Sequence, residues 1–404
     1  MENKVTAFLF IPDPAASQTE IYGLTLLERS LHGLERGGVD RVFLPTEVQR
    51  FLGKKADWKL DIEFSDDYRN ELSTVGNGAL VLTEPLVIDP KCVQQLLEQR
   101  SLSETILIIQ SGEIGWYPKT ALEAVAKDQW PNFSQITTLA HQHVLVAKKL
   151  DFQGLVCSTV RNDADKKAVK KALIRSLIKP TDGWVSRNLN RPISTSISRV
   201  LAHTAITPNQ FTIVTGLIGV STAWFFAAGG YWNYLIGGAL FHLTSVLDGV
   251  DGELARLKFK SSPFGQWLDT LVDNLSYLAA LGGIITGIYL HGATDLVKWA
   301  GLLSVVFALL ALGSLYFYLL RFKSGGTLLN VKYSFQEGNS TFDKILQVAG
   351  AFGKRDLFAL IFFILGIFGK MTWALIYIAI MAFMVFIFSI QAHIAASKAK
   401  RQQP

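Results

Sequence analysis

Asp248, Asp251, Asp269 and Asp273 are the residues of this chain whose type and spacing point most directly to chemistry. They lie inside or beside two apolar runs long enough to cross a membrane. An aspartate near the centre of a membrane helix costs about 2.5–3.5 kcal/mol on insertion scales, so four uncompensated ones would cost on the order of 10 kcal/mol. Asp248, Asp251, Gly252 and Ala255 follow an i, i+3, i+4, i+7 pattern, one face of a helix. Gly265, Asp269 and Asp273 follow at i, i+4 and i+8, one stripe of the next. The basic turn between these helices, around Lys258 and Lys260, is short enough to make them neighbours. Carboxylates facing one another repel unless cations sit between them. Oxygen ligands without nearby cysteine suit Mg²⁺, Mn²⁺ or Ca²⁺ rather than zinc.

The elements that must position these acids are read from the hydropathy. From Phe211 onward apolar runs dominate, with six predicted spans at about 210–229, 232–256, 266–290, 296–320, 356–370 and 371–395. The fifth is the shortest, separated from the sixth only by Gly369 and Lys370. Segments 257–264, 321–355 and 397–401 are rich in Lys and Arg, whereas Gly229-Gly230 and His291–Asp295 carry none. This alternation places both termini in the cytoplasm and makes the chain a multi-pass protein of the cell (inner) membrane. Residues 182–203 read as an amphipathic helix in the interface. Trp184, Val185, Leu189, Ile193, Ile197 and Leu201 are expected toward lipid, with Arg187, Arg191 and Arg199 toward water or phosphate and a kink at Pro192.

Taken together, the acidic pattern D-x-x-D-G-x-x-A-R-x8-G-x-x-x-D-x-x-x-D resembles the signature of the CDP-alcohol phosphotransferase (CDP-alcohol phosphatidyltransferase) family. Every specified position is filled, by Asp248, Asp251, Gly252, Ala255, Arg256, Gly265, Asp269 and Asp273. The resemblance implies two divalent cations, Mg²⁺ or Mn²⁺, held by the four aspartates, with Asp273 also serving as the base that activates an acceptor hydroxyl. It implies a CDP-linked donor against Gly252, Ala255, Arg256 and Gly265, an alcohol or polyol-phosphate acceptor, and release of CMP. Thr207-Pro208-Asn209 also resembles a family feature; helix capping and contact of Pro208 and Asn209 with the donor phosphate both stand as readings. Lys354 and Arg355, with Arg199 and Lys332 behind them, are candidates for an acceptor phosphate, the alternative being a cytoplasmic anchor. Residues 179–194 resemble the branch of di-myo-inositol-phosphate-phosphate synthases, often fused to an inositol-phosphate cytidylyltransferase domain. CDP-diacylglycerol and a CDP-polyol both remain open as donor.

The 404 residues leave room for a further domain. Residues 1–178 have mixed charge and read as a cytosolic α/β nucleotidyltransferase-like domain, residues 179–404 as the membrane domain. The apolar start at Thr6–Ile11 is too short for a signal peptide and is followed by Pro-Asp-Pro. Strands are predicted at Val5–Ile11, Arg41–Leu44, Ala79–Leu82 and Thr105–Ile109, and helices at Leu24–Arg36, Cys92–Arg100 and Asp163–Ile178. After the first strand a working nucleotidyltransferase has a Gly-rich phosphate loop. Here Pro12-Asp13-Pro14-Ala15-Ala16 stands instead, so the domain reads as catalytically degenerate. Glu84, a weak candidate for its metal ligand, is followed by Pro85. Cys92 and Cys157 imply no disulfide framework. The net charge of +6 clusters beside predicted spans, which points to the bilayer and not to nucleic acid. A homodimer is expected. The competing class is a membrane ion or anion transporter using the acids as its ion site; the chain shows no inverted repeat, and the acids fall at the cytoplasmic ends of their spans.

Overall fold

The computed structural model describes residues 4–52, 58–67, 70–100, 106–109, 114–128, 147–152, 154–179, 182–292, 294–322, 347, 350 and 352–402. The chain divides into two compact units, Met1–Leu177 and Ile178–Pro404.

The first unit is α/β. Its strands are β1 (Thr6–Leu9), β2 (Arg41–Leu44), β3 (Asp61–Phe64), β4 (Gly78–Leu82), β5 (Ile106–Ile109), β6 (Ile114–Pro118) and β7 (Ala147–Leu150). They form one seven-stranded sheet in the order β7-β5-β6-β4-β1-β2-β3. β1 pairs in parallel with both β2 and β4, whereas β6 runs antiparallel between β4 and β5. The central strands are buried along their whole length, which is why they read as continuous apolar runs without alternation. Helices α1 (Leu26–Gly37), α2 (Pro90–Gln99), α3 (Lys119–Asp128) and α4 (Asp163–Ser176) complete the unit. A capping box of Thr25 and Glu28 opens α1, and Gly38 closes it at φ +94°, a left-handed conformation that glycine adopts without strain. α1 therefore starts two residues and ends one residue beyond its predicted bounds.

The second unit is helical: α5 (Arg191–Leu201), α6 (Pro208–Ala228), α7 (Tyr231–Leu257), α8 (Pro263–Leu290), α9 (Asp295–Phe322), α10 (Arg355–Ile367) and α11 (Thr372–Gln402). Four of these, α6, α8, α9 and α11, are long and apolar enough to cross a membrane. The six-span expectation is met only in part, for two physical reasons. α7 carries Asp248, Asp251, Glu253 and Arg256 in its last turns. α10 has 13 residues, about 20 Å of helix against a hydrocarbon core of about 30 Å. Large apolar side chains such as Leu217, Trp224, Leu309 and Leu320 are exposed along α6 and α9, as a lipid-facing surface requires.

Small residues bring the helices close. A Cβ at Gly283 or Gly287 of α8 would collide with the backbone of Ala223 or Phe226 in α6. Gly238 of α7 meets the backbone of Phe362, and Gly366 of α10 meets that of Tyr234. These two seams let dispersion contacts form between helix backbones, the main attraction available among apolar helices in lipid. They hold α7 and α8, the bearers of the aspartates, against α10 and α6. Phe226, Phe241, Ala280, Ile284, Phe362 and Leu375 fill the core between them.

The interfacial segment departs from expectation. A π-helical turn, Ser186–Asn190, runs straight into α5, so the regular i→i−4 ladder is interrupted just before Pro192, which has no N–H to donate to the preceding turn. Trp184, Leu189 and Ile193 are exposed as expected toward lipid, but Val185 is buried. Arg191 is buried too, against the expectation of water or phosphate, because carboxylates on both sides compensate it.

Candidate active site

Three of the four aspartates converge. Asp248 on α7 and Asp269 and Asp273 on α8 each bring a carboxylate oxygen within 4.8 Å of the others. Heptad-like spacing puts Asp269 and Asp273 on one stripe of α8, and the turn 258–262 returns the chain beside α7. Asp251 is on the same side of α7 but is spoken for locally. It accepts hydrogen bonds from the Thr212 hydroxyl of α6 and from the Gly252 N–H. Thr212 was not singled out in the sequence; a hydroxyl one turn into a span carries no signal until its carboxylate partner is known.

Arg355, the first residue of α10, enters the cluster. Its Nη1 lies 2.7 Å from Asp248 Oδ1 and also hydrogen-bonds Asp273 Oδ1. Its guanidinium sits 5.3 Å from the Tyr277 ring, one turn beyond Asp273. The structure therefore places Arg355 on the acids themselves, with the expected acceptor role dependent on exchange of these partners. Lys354 is exposed beside it, and Arg199 is exposed on α5. Lys332 lies outside the described residues.

The donor-side candidates also have defined surroundings. A Cβ at Gly252 would meet nothing nearer than Arg256 Nη1 at 3.8 Å, so open space lies over the helix at that point among the described residues. Ala255 and Arg256 are half-buried. Gly265 is tight: a Cβ there would lie 2.9 Å from Asn209 Oδ1, so two residues far apart in sequence meet at one spot. Pro208 is buried in the first turn of α6, whose capping box joins Thr207 and Gln210. The capping reading of Thr207-Pro208-Asn209 thus has its geometry. Lys258 ends α7 by donating from Nζ to the carbonyls of Thr204 and Ile206, at 2.7 and 2.8 Å, which ties the turn after α7 to the approach to α6.

A second charged group escaped the sequence reading. Arg191 donates to Glu253 Oε1 at 2.7 Å and, through Nε and Nη2, to both oxygens of Asp182 at 2.9 Å. Burial opposes ionisation of Asp182, yet the bonds from Arg191 and from the Lys179 N–H hold its carboxyl below the usual range. Burial, then the Arg256 and Arg191 charges, pushes the Lys179 ammonium below its ordinary value. Isolated acidic and basic residues in an amphipathic stretch look solvent-facing, and only the fold shows them paired.

Oxygen donors alone, converging from two helices and with a guanidinium bridging two of them, fit a divalent cation of the hard class.

Residues 205–397 match the model of the CDP-alcohol phosphatidyltransferase family. The matched stretch is a little under half of the chain, and it contains all four aspartates. It is similar to the bifunctional IPC transferase and DIPP synthase of Aquifex aeolicus, 37% identical over 150 residues, which are 37% of this chain and 33% of that protein. The protein of the same description from Thermococcus kodakarensis is 39% identical over 132 residues, 32% of this chain and 29% of the relative. The archaetidylinositol phosphate synthase of Pyrococcus horikoshii is 37% identical over 103 residues, 26% of this chain and 50% of the relative. The matched stretches thus span half or less of these relatives' lengths. A crystal structure of Rv0371c from Mycobacterium tuberculosis, complexed with manganese, covers 42% of this chain and 100% of its own, at 15% identity and a TM-score of 0.35, too low to bear on site or mechanism.

Proposed function

We propose that this protein is an integral membrane transferase that moves a substituted phosphate from a CDP-linked donor to an alcohol and releases CMP. The convergence of Asp248, Asp269 and Asp273 on one point, beside the open surface at Gly252, carries the reading. The inositol-phosphate and archaetidylinositol-phosphate chemistry in the relatives' names favours a phosphorylated polyol as acceptor. Two divalent cations, Mg²⁺ or Mn²⁺, would be held by Asp248, Asp251, Asp269 and Asp273. When bound they supply neutralisation of the diphosphate and of the leaving CMP.

The chain's own residues do the rest. Gly252 and Ala255 present a flat helix surface to the nucleotide, and Arg256 offers a phosphate two parallel N–H bonds. Gly265 and Asn209 hold the start of α8 against α6; of the Pro208-Asn209 pair only Asn209 has donors for the donor phosphate, since Pro208 is buried and lacks an N–H. Asp273 takes the proton from the acceptor hydroxyl as its oxygen attacks the β-phosphorus. The new P–O bond forms while the bond to the CMP oxygen breaks, and CMP leaves with that electron pair. Arg355, with Lys354 exposed next to it, meets the phosphate of the acceptor, leaving the carboxylates as it does so.

Six spans, with α7 and α10 completing the four apolar helices, both termini in the cytoplasm and a homodimer in the bilayer belong to the same proposal. A cytosolic, non-catalytic role for residues 1–178 does too. Two observations support it. Asp13 fills the loop after β1 with its own carboxylate, accepting the N–H groups of Ala15 and Ala16 that a phosphate would need. Glu84 is ion-paired with Arg161. The test is mass spectrometry of products from the full chain in detergent with Mn²⁺, a panel of CDP-linked donors and phosphorylated polyols. Donor-dependent CMP release with a phosphodiester product is expected; no CMP from any pair refutes the reading.

A further inference from the structure

Glu253 has a fully buried side chain, on a helix whose other acids face the proposed site. Every oxygen is used. Oε1 accepts from Arg191 Nη1 and from the Ser194 hydroxyl, both at 2.7 Å, and Oε2 accepts from the Ser198 hydroxyl at 2.6 Å. At 100° per residue, Glu253 lies about 140° around α7 from Asp248 and about 160° from Asp251, so it points away from the acidic cluster. It therefore has no oxygen left for a substrate.

The segment that grips it is fixed at its far end as well. Arg191 forks onto Asp182, whose Oδ2 also accepts the Lys179 N–H at 2.8 Å. The Ser186 N–H donates to Asp356 Oδ2 at 2.8 Å, and Asp356 is the neighbour of Arg355 in α10. Residues 182–201 thus bind α7 through Glu253 and α10 through Asp356. Gly249 makes the passage: a Cβ there would lie 2.8 Å from Arg191 Nη1. That glycine stands between Asp248 and Asp251, so the room for the strap is cut from the same helical turn that carries the site.

We propose that Glu253, gripped by Arg191, is a positioning residue that sets the rotation of α7 and so directs Asp248, Asp251 and Arg256 at the donor. This rests on the transferase reading above. A buried ion pair adds little net stability over an apolar pair of similar volume, but its fixed geometry specifies one arrangement. A bidentate guanidinium grips two carboxylates at defined angles, which an ammonium cannot do. Rotation of α7 would sweep Asp248 out of the cluster while leaving Asp269 and Asp273 in place on α8.

The experiment compares Glu253→Gln, Arg191→Lys and Gly249→Ala with the unaltered full chain, by CMP release kinetics and by Mn²⁺ binding to metal-free protein followed by electron paramagnetic resonance. Loss of an outer-shell partner typically costs 10–100-fold in metal affinity or activity, so about a 10-fold rise in donor KM and a similar loss of Mn²⁺ affinity are expected for Glu253→Gln, with kcat and acceptor KM within about 3-fold. Gly249→Ala keeps every charge and should show the same split, which keeps the test readable if Glu253→Gln fails to fold. Arg191→Lys should fall between it and the unaltered chain. Thermal destabilisation with unchanged donor KM and Mn²⁺ affinity would overturn the proposal, as would loss of kcat alone. If the unaltered chain releases no CMP, the transferase reading fails, and Mn²⁺ affinity still decides whether Glu253 positions Asp248.

Discussion

Replacing Arg355 with glutamine removes a cation that touches the acidic cluster directly. Its Nη1 is 2.7 Å from Asp248 Oδ1 and hydrogen-bonds Asp273. Removing one partner of a buried ion pair costs about 3–5 kcal/mol. The Asp248 and Asp273 side chains are 32% and 24% exposed, so water screens part of their charge and about 2 kcal/mol is the fitting magnitude. At about 2–4 °C per kcal/mol for a unit of this size, the variant should melt about 4–8 °C lower in buffer with EDTA. A divalent cation at the same oxygens supplies the missing charge, so the gap should narrow in millimolar Mn²⁺. The assay is thermal unfolding of the full chain in detergent in both buffers. Equal gaps would refute the reasoning, because they would show that guanidinium and cation do not share those oxygens. In turnover the same variant should raise KM for a phosphorylated acceptor about 10- to 150-fold, the worth of one charge-assisted hydrogen bond, with donor KM nearly unchanged.

Asp273→Asn should leave folded, membrane-inserted protein with turnover reduced at least ~100-fold, the lower end for loss of a general base; near-normal kcat would reassign Asp273. The full chain incubated with CTP, Mg²⁺ and inositol phosphate should release no pyrophosphate, given the self-filled loop at Asp13; release at enzymatic rates would reveal a diverged site. Cys92 is fully buried, and burial pushes its thiol up to about 12. At pH 8 it stays protonated, so iodoacetamide should modify Cys157, which is half-buried, and spare Cys92, as peptide mass spectrometry would show.

Much of the acidic site was legible because its constraint is one-dimensional. Asp248 and Asp251 recur at helical spacing, as do Asp269 and Asp273; the short turn predicts α7 and α8 as neighbours, whereas both pack against α6 and meet through their carboxylates. The α/β unit was legible for a similar reason: β2 and α1 announce themselves by apolar runs and by a glycine at the helix end. What sequence could not supply were contacts between distant segments. Thr212 on Asp251, Gly265 against Asn209 and Arg355 on Asp248 each join two helices whose relative rotation no local pattern encodes. Residues 182–203 misled most. Their amphipathic spacing was real, but a period of 3.6 cannot tell a wet face from a face that meets buried carboxylates. Hence Arg191 was expected outside and is found inside.

α7 shows why these two kinds of compensation belong together. It has too many charged residues near its end to count among the strongly apolar helices, yet it packs against α6 and α10 along close seams. Each carboxylate must therefore be neutralised within the protein. On one face the partner is permanent: Arg191 and two serine hydroxyls occupy both oxygens of Glu253, whose side chain is fully buried. On the other face the partners are exchangeable. Arg355 reaches Asp248 from the first residue of a short helix, and Asp248 keeps about a third of its side chain exposed. A fixed pair can hold orientation but cannot release it, whereas a half-exposed pair can yield to a cation or a phosphate. The helix thus separates by rotation what it could not combine at one position: a carboxylate spent on holding it in place, and carboxylates left free to exchange partners.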